Sequence, residues 1–377
     1  MIFTVLVFLL ILSVLVLIHE AGHFFVAKKL GIKVEEFGFG LPPRVFGIKK
    51  GETIYSINLL PIGGFVKLYG EDEAGSGKLK VKSENLPSGK AGLKVDTSRA
   101  FFARPVWQRA LVVVAGVVMN FILATAIITY FFGIAGVQIP GDKVIVSQIV
   151  KNSPAEKAGL KSGDIIETIN NIKITSPKQL VTVTKSHLGE NLSIVIKKES
   201  GESKNIVVIP RKNYPKNEGP MGISISSDII TKKYPFYQAP FIGLLEAFKQ
   251  SWAIIAGLGM VFSQLLFHAQ IPKGVAGPVG IAQLTGQFIQ YGPQAVLSLV
   301  SLLSLNLAIL NILPIPALDG GRLFFILVEG VTGRKVPRRF EAYAHAIGMA
   351  ILLALIVFIT LSDIIRLISG QSILPKP

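Results

Sequence analysis

The sequence predicts a polytopic α-helical membrane protein of about four transmembrane helices, with a smaller β-rich unit set between its spans. Three observations carry this. The 377-residue chain is half hydrophobic and only 16% charged, with a mean hydropathy of +0.55, a composition far from that of a soluble globular protein. Apolar runs at 2–27, 107–136, 293–313 and 342–368 each reach the ~20 residues that cross a hydrocarbon core. Between the second and third runs lies a polar stretch whose apolar residues alternate, which is the period of strands.

The first run carries the chemistry. Residues 2–18 hold no charge, and the run continues past His19-Glu20-Ala21-Gly22-His23 through Phe24, Phe25, Val26 and Ala27 to Lys28-Lys29. It has neither a basic start nor an A-x-A exit, so it reads as a retained span over 1–30 rather than a signal peptide. Two imidazoles and a carboxylate at membrane depth are expensive to bury, which argues against a chance motif. On a helix the i and i+4 spacing puts His19 and His23 on one face, where they can share Zn²⁺, and Glu20 can serve as general base toward a water.

The segment 31–106 follows on the cytoplasmic side. Within it TIYSINLLPIGGFVKLYG alternates on both sides of Pro61-Ile62-Gly63-Gly64, a candidate membrane-associated β-hairpin over 53–69 whose exposed edge could pair with an unwound substrate. The second span, 107–136, has no ionisable residue between Arg109 and Gly136. Residues 138–212 read as a compact β-rich module with a Ser-Pro helix start, an AGLKSGD turn, a strand–Asn-Asn–strand hairpin and a second hairpin around a Gly-containing turn. His187 in this module reads as a surface histidine. The linker 213–291 contains a fifth apolar segment, 241–267, interrupted by Glu246, Lys249 and Gln250 and long and apolar only from Ser251 to Phe267.

The short connection 322–340 is rich in arginine and lysine, whereas only Lys376 follows Ser369. The positive-inside rule therefore places that connection in the cytoplasm. The N- and C-termini and the β-rich module fall outside. The net charge of +16 is spread over two polar regions with no recognition motif, so anionic lipid accounts for it and nucleic acid is excluded as a partner. With no cysteine, zinc must be held by His, Asp or Glu.

A catalytic zinc needs a third protein ligand. Candidates are Asp319, Glu329, His345 and His268, and Asp319 is favoured. In NLAILNILPIPALDGG, Pro314 and Pro316 break the third span (292–321), and Asp319-Gly320-Gly321 lets the backbone turn sharply. Broken backbone at membrane depth belongs where protein or water surrounds it. Asn311 could donate to a peptide carbonyl or its oxyanion. His19 and Asp319 meet only if an even number of crossings separates them, so 241–267 is read as an amphipathic or re-entrant helix at the outer surface.

SPAEKAGLKSGDIIETINN is similar to the PDZ signature, which makes 138–212 one extracytoplasmic PDZ-like α+β domain, either binding peptide by strand addition or only limiting access. HEAGH in the first span with LNILPIPALDGG in the third resembles the site-2 protease family of intramembrane zinc metalloproteases, in its bacterial sigma-E-protease-like branch. EFGFGLPPRVFG, GVVMN and AGPVGIA are further matches. The resemblance implies His19, His23 and Asp319 as zinc ligands, Glu20 as the base, and Asn311 with Asn120 as substrate-positioning residues. Gly116 and Asn120 match a G-x-x-x-N pattern whose plain reading is close helix packing. Larger bacterial members carry two PDZ modules in tandem; this chain has room for one. The implied activity is cleavage of single-pass membrane proteins in a bacterial plasma membrane, with anti-sigma factors or signal-peptide remnants as substrates. A non-catalytic zinc-stabilised scaffold presenting the PDZ module is the alternative, and the absence of charged residues between Arg109 and Gly136 in the second span speaks against a metal transporter.

Overall fold

The computed structural model describes residues 2–71, 98–198, 201–215, 218–268 and 275–369. It divides into two compact units, one of Met1–Tyr130 with Tyr237–Pro377 and one of Phe131–Phe236.

The first unit is built on α1 (Ile2–Lys29), α2 (Val106–Tyr130) and a third helix, Pro293–Ile312, which is α7 in chain order. Their mutual direction is fixed by contacts between small and polar groups. Gly22 of α1 meets the Ala115 carbonyl so closely that a Cβ there would lie 2.4 Å from its oxygen. Ser304 and Ser301 of α7 donate to the carbonyls of Asn120 (2.8 Å) and Ala124 (3.3 Å). Small and hydroxylated residues at such seams let membrane helices approach where no hydrophobic force drives them together. Residue numbers rise along α1 and α7 as they fall along α2, so α1 and α7 run one way and α2 the other.

Strands β1 (Val34–Lys50) and β2 (Thr53–Leu68) follow α1. A hairpin is present, but its turn is at Gly51-Glu52, and the two arms around Pro61–Gly64 do not pair with each other as expected. Residues 36–39 lie between them: Phe37 partners both Val66 and Tyr55, and Gly38 both Phe65 and Ser56. Residues 46–50 pair outside 53–57, so the order across the sheet is 44–50, 53–58, 36–39, 64–68. Gly38 permits this, because a Cβ there would fall 2.4 Å from the Phe65 ring. The far half of the sheet exposes Leu41, Val45, Phe46, Ile48, Ile57, Leu59 and Leu60.

The second unit holds β3 (Val137–Ile149), α3 (Pro154–Lys157), β4 (Ile165–Ile169), β5 (Ile172–Lys173), α4 (Pro177–Ser186), β6 (Leu192–Lys197), β7 (Ser203–Val208) and β8 (Ile223–Lys232). The sheet order is β7-β6-β4-β3-β8, with β5 on β4. The Asn-Asn hairpin is as expected, with Asn170 and Asn171 at φ 47° and 65°. Ser153 and Ser176 cap α3 and α4. The expected boundary at 212 is too early: β8 pairs along β3 from Ile149 to Val137 and belongs to the same sheet. Val144, Ile166, Leu180, Leu192, Ile194 and Ile196 form its core.

Back in the first unit come α5 (Ala239–His268), α6 (Pro278–Gln290), α7, α8 (Asp319–Thr332) and α9 (Arg338–Ile368). Among the described residues five helices are long and apolar enough to cross a membrane, α1, α2, α5, α7 and α9, one more than the sequence predicts. Helix α5 is a single 30-residue helix through its polar first half. It packs beside the end of α2, with Gly243 on Thr129 and Phe248 on Phe121. Helix α6 lies against the start of α1, where Gly286 faces Thr4. Asp363 near the end of α9 accepts from the N–H groups of Gly277 (2.9 Å) and Gly280 (2.8 Å), which gives the AGPVG motif a role in holding α6 to α9. Helix α8 lies in what reads as a basic loop; Arg109 of α2, buried, pairs with its Glu329 at 2.7 Å.

Candidate metal centre

The HExxH helix is turned so that His19 and His23 are buried, and their ligand atoms converge with that of Asp319. His19 Nε2 lies 3.2 Å from His23 Nε2, and Asp319 Oδ2 lies 2.8 Å from the first and 3.3 Å from the second. Ligands about 2.0–2.1 Å from zinc in a tetrahedron stand roughly 3.3–3.4 Å from one another. The three atoms are therefore spaced as three corners of such a site, and the fourth is left for water or substrate. Among the described residues this is the group of three His, Asp or Glu that could hold a metal.

The surrounding groups fit the same reading. His23 Nδ1 donates to the Val112 carbonyl at 2.8 Å, which leaves the Nε2 lone pair for a metal. His19 Nδ1 lies 3.3 Å from the Asn120 amide nitrogen, while the amide oxygen of this fully buried residue has no partner. The two ends of an amide are isosteric. Turning Asn120 over presents its oxygen to a protonated His19 Nδ1, satisfies the orphan and frees His19 Nε2 for zinc. Gly116 gives the imidazoles their space: a Cβ there would sit 2.4 Å from His23 Nε2 and 2.8 Å from His19 Cε1. The G-x-x-x-N pattern thus lines the two histidines as well as packing helices.

Asp319 is presented by a break in the chain. Helix α7 ends at Ile312 ahead of Pro314 and Pro316, and Ala317 takes a left-handed φ of 83°. Asp319 opens α8, where the helix dipole favours a carboxylate. The sharp turn expected of Gly320-Gly321 is made instead at Ala317. The two glycines serve close packing, because a Cβ on Gly320 would meet the Leu313 carbonyl oxygen at 2.0 Å and one on Gly321 that of Ile315 at 2.5 Å. Asn311 brings its amide within 3.4 Å of His19 Nε2, beside the metal position. Glu20 accepts from the Val66 N–H at 3.0 Å, so the edge strand 64–68 of the sheet runs past it.

Of the other candidates, Glu329 is committed to Arg109 and His345 bonds the Ala317 N–H. His268 ends α5, and His187 caps α4 in the second unit. The Val112 carbonyl and the Val66 N–H are backbone groups that no residue pattern identifies.

A His-His-Asp group with an adjacent glutamate, among helices long and apolar enough to cross a membrane, is a donor set suited to a zinc hydrolase. Residues 7–355 match the model of peptidase family M50, and the chain belongs to this family, that of the site-2 proteases. The regulator of sigma-W protease RasP of Bacillus subtilis is 31% identical over 425 residues, covering 97% of this chain and 99% of that protein. The zinc metalloprotease RasP of Bacillus licheniformis is 32% identical over 429 residues, with 97% and 99% covered. Among solved structures, the PDZ domain of an SdrC-like protein from Listeria monocytogenes covers 24% of this chain and 93% of its own length, at 21% identity and a TM-score of 0.21. The protein is a zinc metalloprotease of the site-2 type.

Proposed function

We propose that the protease cleaves transmembrane segments of single-pass membrane proteins within the bilayer of a bacterial plasma membrane. The observation that carries this is the convergence of His19, His23 and Asp319 on apolar helices, with Glu20 and a strand edge at the same place. Zinc held by the three ligands would polarise the scissile carbonyl and acidify a water. Glu20 takes the proton and returns it to the leaving amine. Asn311 donates to the carbonyl oxygen as negative charge builds on it, and Asn120 acts by orienting His19.

A helical substrate hides its amides, so it must be extended to be cut. Strand 64–68 is an outer strand whose Val66 and Leu68 N–H groups point to the carboxylates of Glu20 and Glu71 rather than to another strand. A substrate segment adding there would lie beside the zinc. The apolar far half of the sheet suits a membrane-facing position. Four crossings are supported by the contacts of the segment that leaves α2 and enters α7. It begins with Gly243 on Thr129 and is back at Thr4 by Gly286, at the end of the bundle remote from the ligands. The stretch from α5 through α6 then contributes no net crossing, and the positive-inside count favours both termini and the PDZ-like unit outside. That unit would take a peptide on an outer strand, β7 or β8. The family resemblance points to anti-sigma factors or signal-peptide remnants as substrates, and a relative named as a regulator of sigma-W accords with the first of these.

The test is purified protein in liposomes with a tagged single-pass substrate and with casein. Cuts mapping inside the apolar segment, with casein left whole, are expected. Casein cut while the membrane substrate stays whole would overturn the proposal.

A further inference from the structure

We propose that His345, in the last membrane helix, is a positioning residue for the zinc ligand Asp319. The inference rests on the metal reading given above. Helix α9 contributes no ligand, and most of its surface is exposed. At one point it meets the loop that presents Asp319. His345 Nδ1 accepts the Ala317 N–H at 2.9 Å. One turn on, Gly348 is buried against Pro316, with a Cβ position 2.4 Å from the Pro316 carbonyl oxygen.

Ala317 is where the chain adopts its left-handed turn, at φ 83°. An alanine does not favour that region, so neighbouring contacts must hold it there. Two residues later Asp319 has to place one oxygen to within a few tenths of an ångström of its position on the metal. Gly320 and Gly321 fix the far side of the aspartate against the carbonyls of Leu313 and Ile315. His345 fixes the near side. As an acceptor, Nδ1 must be unprotonated, which leaves the proton on Nε2, a buried nitrogen with no hydrogen-bond partner. The ring stands edge-on to Phe325 of α8 at 5.9 Å, so it is wedged between the loop and the helix that Asp319 begins. The arrangement makes the third ligand a property of α9 as well as of the P-x-P-x-x-D-G-G segment.

The full-length protein in detergent tests this by zinc affinity in chelator competition and by the visible spectrum of the Co²⁺ form. Apo-protein thermal unfolding serves as the control for folding. His345→Leu should bind zinc about 10–100-fold more weakly, as typical for loss of an outer-shell partner, and shift the Co²⁺ bands. His345→Asn, whose Oδ1 reaches the place of Nδ1, should restore affinity to within about 3-fold. Gly348→Ala, which pushes on Pro316 from the same side, should weaken zinc without touching His345. Wild-type affinity in both His345→Leu and Gly348→Ala, or an Asn variant as weak as the Leu variant, would overturn the proposal alone. Wild-type protein that binds no zinc would overturn the metal reading with it.

Discussion

Replacing Gly116 by alanine places one methyl group against His19 and His23, the two imidazoles proposed to hold zinc. The built Cβ lies 2.4 Å from His23 Nε2, 2.7 Å from His23 Cε1 and 2.8 Å from His19 Cε1, whereas ordinary contact begins near 3.4 Å. The His23 ring must therefore retreat by 3.4 − 2.4 = 1.0 Å. It cannot do so freely, because its Nδ1 is tied to Val112 on the same helix as the new methyl. Zinc–nitrogen bonds tolerate about 0.2 Å, so the shift exceeds the tolerance roughly five-fold. Zinc affinity should fall at least 100-fold, and cleavage by a similar factor even with zinc in excess, since a displacement of about 1 Å at a reacting centre costs that much. The helix itself should be unharmed, because alanine is the better helix former. The assay is chelator competition on purified protein beside cleavage of a tagged single-pass substrate, with circular dichroism as the control. Gly116→Ala binding zinc with wild-type affinity and cleaving within 3-fold of wild type would refute the geometry.

Other outcomes follow from the same structure. Asn120→Ala should lower zinc affinity 10–100-fold with little change in KM for substrate, because its amide reaches His19; a raised KM at unchanged zinc affinity would restore the substrate-positioning role. Arg109→Met leaves the half-buried carboxylate of Glu329 without its arginine, and thermal unfolding should report a loss of about 3 kcal/mol, much of it recovered in Arg109→Met/Glu329→Met. Arg99 donates both Nη groups to Glu52 at 2.7 Å and holds that carboxyl below its ordinary value. A depressed native pKa stabilises above the unfolded value of about 4.3 and is lost as pH falls below it. Amide protection at Gly51–Thr53 should therefore drop on acidification, and Glu52→Gln should abolish that dependence.

The convergence of His19, His23 and Asp319 was legible because membrane burial makes ionisable groups rare: two histidines four apart in an uncharged run, and one aspartate after a proline-broken span, have few innocent explanations. Asn120 and Gly116 were visible as a pattern, but what they do depends on which face of α2 meets α1. The sheet was harder. Alternation marks 53–58 and 64–68 as strands, yet nothing local says that 36–39 will enter between them, since strand order is decided by partners distant in sequence. Helix α8 was hidden by the charges around it, though Leu323–Val328 is an apolar run of helical length for a short amphipathic element. β8 fell outside the expected boundary because the segment from 213 on, which leads into it, reads as linker. The turn at Ala317 could not be foreseen, because positive φ is expected of the glycines that follow it.

Glu20→Gln bears most directly on the claim that His19, His23 and Asp319 bind zinc while Glu20 performs chemistry without being a ligand. Zinc content and cleavage should be measured together on wild type and the variant, reconstituted in liposomes with a tagged single-pass substrate. Equal zinc, about one per chain, with cleavage lost at least 100-fold is the predicted result. Zinc lost with Glu20, or cleavage retained without it, would contradict the assignment.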